Sequence, residues 1–258
     1  MEAAREAAHL IRSAVGRLRA TDVREKGTSD LVTTVDEASE ALLIRRLGNA
    51  FPRDIVLAEE SASVTSDAAN GRRWIIDPID GTTNFAHGVP PYALSIALER
   101  ADKVVLGIVL EVGSGDIYVA VRGHGAFLNS APIRVSDSRH LNSSLVATGF
   151  PYRAFDHGTT YMDVLYRFME STRGVRRYGA ASVDLALVAR GSFDGFFETG
   201  LMPWDVAAGM LLVEEAGGRV TDYSGRSGPI RERQIVASNG YVHDEMLRIL
   251  APMRSVRS

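Results

Sequence analysis

Apolar residues recur at three- and four-residue steps near the start of the chain, at Ala4, Ala7, Leu10 and Ile11, Ala14 and Leu18. That spacing predicts one face of an amphipathic helix. The polar stretch Lys26 to Asp30 predicts a loop. A second helix is predicted after Asp36, with Ala41, Ile44, Leu47 and Phe51 on one face and Pro52 closing it. Two short apolar runs follow. Ile55 to Leu57 ends at Ala58-Glu59-Glu60, and Trp74 to Ile76 ends at Asp77. Between them, Ser61 to Gly71 is rich in small polar residues and reads as an exposed loop.

The middle of the chain is strand-rich. Ala93 to Leu98, Val104 to Val112, Ile117 to Val121 and Leu145 to Thr148 carry β-branched residues between turn signals, with Asn129 to Pro132 as one such turn. The last third mixes helices at Tyr161 to Met169, Val183 to Ala189, Val206 to Glu215 and His243 to Leu250 with strands at Gly195 to Phe197 and Ile235 to Ala237. No internal repeat or long linker interrupts this order. The pattern predicts a single α/β (α+β) domain over residues 1–258.

Composition narrows the function. Hydrophobic residues make up 45% and charged residues 24% of the 258, which excludes a disordered or fibrous chain. The net charge of -3 argues against direct nucleic-acid binding. With no cysteine, thiolate metal sites and disulfides are excluded, and the six histidines lack metal-binding spacing, so any metal is held mostly by oxygen. Residues 1–20 lack a continuous apolar core, and Val104 to Leu110 is too short to span a bilayer. A cytoplasmic protein is expected, without a membrane partner.

Four acidic positions stand at the ends of apolar runs or the mouths of helices: Glu59, Asp77, Asp80 and Asp205. Singly, each has an ordinary explanation as a surface acid, a turn residue or a helix cap. The run Trp74-Ile-Ile-Asp77-Pro-Ile-Asp80-Gly-Thr82 changes that balance. A buried strand delivers Asp77, Pro78 fixes a turn, and Asp80 sits where a helix begins. The N–H groups of Gly81 and Thr82 are then free to take a phosphate. Two carboxylates beside a phosphate repel it unless a divalent cation lies between them. All the candidate ligands are oxygen, which favours magnesium over zinc. Haloacid-dehalogenase-type phosphatases require Asp-x-Asp-Gly-Thr, and here Pro78 occupies the nucleophile's position, so that chemistry is rejected.

These residues resemble the inositol monophosphatase family. Asp77-Pro-Ile-Asp80-Gly-Thr82 is similar to its first motif, and Trp204-Asp205-Val-Ala-Ala-Gly209 with Glu214-Glu-Ala-Gly-Gly218 to its second. Ala58-Glu59-Glu60-Ser61 resembles its upstream metal-ligand segment. Asp30-Leu-Val-Thr33 with Asp36 resembles its N-terminal motif, and Arg177-Tyr-Gly179-Ala-Ala181 its substrate-side segment. The five matches run in family order from about residue 26 to residue 240.

The resemblance implies a layered αβαβα sandwich, usually dimeric. It assigns metal and phosphate binding to a half of about 1–140, and substrate binding to a half of about 141–258. It implies a magnesium-dependent, lithium-sensitive phosphatase acting on inositol monophosphate through a metal-activated water, with two to three Mg2+ ions. Glu59, Asp77 and the Ile79 carbonyl would hold one ion. Asp77, Asp80 and Asp205 would hold a second, and a third would sit near Glu59. Glu59 and Thr82 would orient the water, making Glu59, Thr82 and Asp77 the catalytic set. Asp80, Gly81, Thr82, Gly179, Ala181, Glu198 and Asp205 would contact substrate. Lys26 falls in the family's mobile loop, and Met202 stands where animal members often carry histidine. His87 is expected to be structural, and Arg176 and Arg177 to lie on the surface or at an interface. Two alternatives stay open. The same chemistry could act on fructose 1,6-bisphosphate, histidinol phosphate, NADP or 3'-phosphoadenosine 5'-phosphate, or the chain could be a regulatory binding protein of a transcription complex.

Overall fold

Three apolar cores alternate with two sheets, and the period-two patterning of the strands explains why. The computed structural model describes residues 1–27, 30–61, 71–150, 158–228 and 233–254, without the side chains of Ala20, Lys26 and Asp30. In chain order, α1 (Glu2–Ala14) leads to a hairpin of β1 (Val23–Gly27) and β2 (Asp30–Thr33), then α2 (Thr34–Ala50). Next come β3 (Ile55–Ala58), β4 (Arg72–Asp80), the short α3 (Thr82–Ala86), β5 (Ala93–Arg100), β6 (Lys103–Glu111), β7 (Ile117–Val121), β8 (Gly125–Leu128) and β9 (Ala131–Ile133). The remainder is β10 (Leu145–Thr148), α4 (Gly158–Ser171), β11 (Gly174–Arg176), α5 (Ala181–Ala189), β12 (Gly195–Thr199), α6 (Pro203–Glu215), β13 (Arg219–Thr221), β14 (Gln234–Ser238) and α7 (His243–Leu250).

Strands β3 to β9 pair in sequence order as one sheet. Only β3 and β4 run parallel within it. One face, with Ile76, Leu94, Ile96 and Ile108, buries Ala7, Ile11, Leu43 and Leu47 of α1 and α2. The other, with Ile75, Ala97, Val109 and Tyr118, packs on α5 and α6. Those two helices are apolar almost all round, because a second sheet covers their far side. That sheet has the order β11-β10-β12-β14-β13 and meets them through Ala147, Phe196 and Ala237. Its outer residues Val146, Phe197 and Val236 pack against Phe168 of α4 and Met246 of α7. The layers therefore run α/β/α/β/α, as the resemblance implies.

Two glycines set the spacing of the middle layer. A β-carbon on Gly107 would stand 2.7 Å from the Ala208 carbonyl oxygen, and one on Gly209 2.6 Å from Leu185 Cβ. No helix among the described residues is long and apolar enough to cross a membrane.

Local departures have physical reasons. Residues 26, 27 and 30 lie in strands of a hairpin rather than in a loop; Thr28 and Ser29 lie outside the described residues. Helix α2 begins at Thr34, because Thr33 and Asp36 form a capping box, each side chain reaching the other's backbone N–H. Its buried residues include Val35, Asp36, Ser39, Glu40, Leu43 and Leu47, while Ala41 and Phe51 are exposed. The expected face is thus rotated, since the inner side of α2 carries polar groups that serve the site. The predicted turn at 129–132 is confined to Asn129 and Ser130, whose φ values of 49° and 73° suit a tight hairpin. The expected loop from Ser61 to Gly71 falls almost wholly outside the described residues.

Candidate active site

The parallel pairing of β3 and β4 aligns Ala58 with Ile76, so the following residues, Glu59 and Asp77, emerge side by side. The Glu59 N–H donates to the Ile76 carbonyl at 3.2 Å. Strand β4 then bulges. Asp77 pairs with Ser95 and Asp80 with Ala93, so three steps on β4 match two on β5. Pro78 sits in the bulge and has no N–H to give. Without the bulge, Asp77 and Asp80 would point to opposite faces. With it, both share the face that meets α6. The Asp77 carboxylate accepts the Ile79 N–H at 3.0 Å.

Helix α6 supplies the opposing carboxylate. Ser95 Oγ donates to the Trp204 carbonyl at 3.0 Å, which docks the helix start on β5. Asp205 lies in the first turn and accepts the Met202 N–H at 2.7 Å. Met202, in the animal histidine's place, is the N-cap.

Helix α2 presents its polar face from below. The Asp36 carboxylate accepts from Thr33 N–H at 3.0 Å, from Thr33 Oγ1 and, at 3.0 Å, from Thr82 Oγ1. Thr82 Oγ1 also lies 3.0 Å from the Ile79 carbonyl. Ser39 Oγ donates to the Pro78 carbonyl at 3.3 Å, and Glu40 accepts the Glu60 N–H at 2.7 Å. Gly81 turns the chain into α3 with φ of 89°, where a side chain would press on the Pro91 and Gly179 carbonyls. His87 is exposed and ends α3, its N–H reaching the Thr83 carbonyl.

The remaining wall comes from the last third of the chain. Asp80 accepts from Ala181 N–H at 3.2 Å, Ser182 N–H at 2.7 Å and the Ser182 hydroxyl. The Glu198 carboxylate lies across the α-carbon of Gly149, and Arg177 across that of Gly179. Asn84 ties α3 to this wall, donating to the Tyr178 carbonyl at 2.7 Å and the Pro91 carbonyl at 2.9 Å. Arg176 is exposed. Arg177 is exposed too, as expected, with its guanidinium 5.7 Å from the Phe150 ring and near enough for its charge to act on Glu198.

The electrostatics are those of crowded acids. Burial pushes Asp77 well above the usual carboxylate range, and the charges of Glu59, Asp80 and Asp205 add to the rise. Asp205 rises for the same reasons, against the Met202 hydrogen bond. Burial also raises Asp80 to about 6, opposed by its hydrogen bonds from Ser182 and Ala181. Glu198 is pushed to about 8 by burial, which outweighs the nearby Arg177. Glu198 and Asp205 keep some surface open to the cleft but lie deep within it, and depth governs their rise. The strongest charges acting on Asp77 and Asp205 are all negative. A hard divalent cation suits such a set of oxygen donors. Among the described residues, no three Asp, Glu or His side chains close around one point as a self-sufficient metal cage. Magnesium fits that arrangement too, since it keeps waters and takes phosphate oxygens as ligands.

The structure thus brings together Glu59, Asp77, Ile79, Asp80, Gly81, Thr82 and Asp205, with Glu198, Gly179 and Ala181 on the far wall. Ala181 contributes a backbone N–H already committed to Asp80, and its side chain is buried. The Lys26 side chain lies outside the described residues. The sequence reading missed Asp36 as the partner of Thr82, and also Ser182 as a donor to Asp80. Thr33-x-x-Asp36 carried a capping signal, but nothing local signals its bond to Thr82, 46 residues away.

Comparison with known proteins agrees with this geometry. The model of the inositol monophosphatase family matches residues 1–254. A putative Nus factor SuhB of Neisseria meningitidis serogroup B is 46% identical over 250 residues, covering 97% of this chain and 95% of that protein. The crystal structure of extragenic suppressor protein suhB from Bartonella henselae superposes with a TM-score of 0.89 at 37% identity, covering 99% and 97% of the two chains. An IMPase from Thermotoga maritima superposes with a TM-score of 0.88 at 34% identity, covering 97% and 94%. The chain belongs to the inositol monophosphatase family, whose phosphatases are generally metal-dependent.

Proposed function

We propose that the protein is a magnesium-dependent phosphomonoesterase that hydrolyses inositol monophosphate by direct attack of water. One observation carries the reading: Glu59, Asp80 and Asp205 raise the proton affinity of Asp77, and Glu59 and Asp80 that of Asp205, beside a glycine turn suited to phosphate. Glu59, Asp77 and the Ile79 carbonyl would hold one Mg2+, and Asp77, Asp80 and Asp205 a second; a third would lie near Glu59. When bound, the ions supply Lewis acidity, lowering the pKa of water from about 15.7 to roughly 7 and stabilising the leaving oxygen.

The chain's own groups do the rest. Gly81 and Thr82 present N–H groups to the phosphate. Thr82 gives its hydroxyl proton to Asp36, which leaves a lone pair to accept from the attacking water. The Asp36–Thr82 pair accepts that water's proton, and Glu59 orients it. Asp80, Glu198 and Asp205 receive the polyol hydroxyls, and Gly179 and Ala181 shape the wall behind them. No covalent phosphoenzyme is required.

We place this activity in a single-domain, cytoplasmic homodimer. The exposed apolar stripe of α4, with Met162, Tyr166 and Met169 each 59% exposed, supports a protein–protein contact.

The test is magnesium-dependent phosphate release from inositol 1-phosphate, fructose 1,6-bisphosphate, histidinol phosphate, NADP and 3'-phosphoadenosine 5'-phosphate, with lithium as inhibitor. The highest kcat/KM is expected on inositol 1-phosphate, and undiminished turnover in excess chelator refutes the reading. The name of the Neisseria relative favours a second reading, a regulatory partner in transcription. An Asp205→Asn allele indistinguishable from wild type in cells would support that reading instead.

A further inference from the structure

Two buried hydroxyls at the carboxyl end of β10 act on the residue that packs against Glu198. Strands β10 and β12 run parallel with Thr148 beside Phe197, so the next residues, Gly149 and Glu198, lie side by side. Ala147 and Phe196 face the middle layer, and Gly149 and Glu198, two steps and two steps on, face the same way. At Gly149 that direction is already filled: a β-carbon there would stand 2.0 Å from the Glu198 carboxyl carbon. The bare α-carbon of Gly149 is the surface on which the carboxylate rests. Gly149 lies one step past the last paired residue of β10, and two side chains bond its carbonyl. Tyr161 of α4 donates its hydroxyl to that carbonyl at 2.7 Å, and Thr148 Oγ1 donates to it at 3.1 Å. The two hydroxyl oxygens lie 3.1 Å apart, and both side chains are buried.

We propose that Tyr161 and Thr148 are positioning residues of the polyol pocket: by holding the Gly149 carbonyl they keep its α-carbon under the Glu198 carboxylate and so aim that group at the substrate. The inference rests on the polyol-phosphatase reading and extends it. One donor satisfies a buried carbonyl; two, from different elements, fill both of its lone pairs and fix the peptide plane that follows the Gly149 α-carbon. Glycine has the freest backbone, so this is a position where the chain needs such a restraint. The Tyr161 ring is itself seated in the outer core with Val164 and Phe168 and meets the Phe150 ring edge-on at 6.3 Å, which anchors its hydroxyl.

Steady-state kinetics of the full-length enzyme with saturating Mg2+ test this, using inositol 1-phosphate and p-nitrophenyl phosphate, whose leaving group offers no hydroxyl to Glu198. The readout is the ratio of the two kcat/KM values. Tyr161→Phe combined with Thr148→Val removes both donors with little change of volume, and is expected to lower the ratio by about 2- to 12-fold, as far as Glu198→Ala lowers it. In a Glu198→Ala background the two substitutions leave the ratio unchanged. Tyr161→Phe alone lowers it part of the way, and Thr148→Ser, which keeps the hydroxyl, holds the wild-type value. If the combined variant does not fold, Tyr161→Phe and its cycle with Glu198→Ala decide the question. A lowered Tm with an unchanged ratio shows hydroxyls that only stabilise the strand end and overturns the proposal, as does a ratio that falls further in the Glu198→Ala background. A Glu198→Ala enzyme with the wild-type ratio overturns the functional reading of that acid, and the proposal with it.

Discussion

Gly149 offers a way to remove the Glu198 carboxylate without touching Glu198. Its α-carbon faces that carboxylate so closely that an added β-carbon would overlap both oxygens and the carbon between them. The overlapped group is the end of a flexible side chain that already opens to the cleft, so in Gly149→Ala it swings out rather than straining the backbone. The fold should hold, because the displaced acid is one whose proton affinity burial has pushed to about 8 and which gains hydration on leaving. The loss falls on substrate. Near pH 7 Glu198 keeps its proton, and a hydrogen bond between neutral partners contributes about 0.5–1.5 kcal/mol, which is roughly 2- to 12-fold in kcat/KM. Gly149→Ala should therefore reduce kcat/KM for inositol 1-phosphate by that factor and keep wild-type activity on p-nitrophenyl phosphate. The decisive assay is a double-mutant cycle with Glu198→Ala. If Gly149 acts through Glu198, the double variant is no worse than either single one. Losses that multiply would show that Gly149 matters for another reason, and the geometric argument would fail.

Three further outcomes follow from the same geometry. Metal-free protein should lose thermal stability as pH rises from about 5 to 8. Asp80 (about 6) and Glu198 (about 8) keep protons in the folded state that the unfolded chain releases near pH 4, so unfolding free energy falls across that window. Millimolar Mg2+ should flatten the profile, and a chelated protein whose Tm climbs over the same range would contradict it. Thr82→Val and Asp36→Asn should each lower kcat by about 10²- to 10⁴-fold with little change in KM, as for lost proton transfer; a normal kcat in Asp36→Asn removes that residue from the mechanism. Gly107→Ala should destabilise the fold by about 1–3 kcal/mol in chemical denaturation, because its β-carbon would meet the α6 backbone at the Ala208 carbonyl.

What could be read in the sequence, and what could not, divides along contact distance. Helix α1, the central strands, and α5 and α6 follow from periodicity, because burial on one face or on all sides leaves a local pattern. Glu59, Asp77, Asp80 and Asp205 also stood out, each at the end of an apolar run or the mouth of a helix. Helix α2 misled the pattern for the opposite reason. Its inner side is built from Asp36, Ser39 and Glu40 as well as leucines, so a hydrophobic count selected Ala41 and Phe51, which are exposed. Those polar groups are buried because the site needs them: Asp36 meets Thr82, Ser39 meets the Pro78 carbonyl, and Glu40 meets the Glu60 N–H. The bulge at Pro78 is a similar case. The sequence shows a proline between two acids, but only pairing with β5 reveals that the extra residue turns Asp77 and Asp80 onto one face. In α2 and β4, where the local rule is broken, the compensating partners lie on other elements around the same cleft.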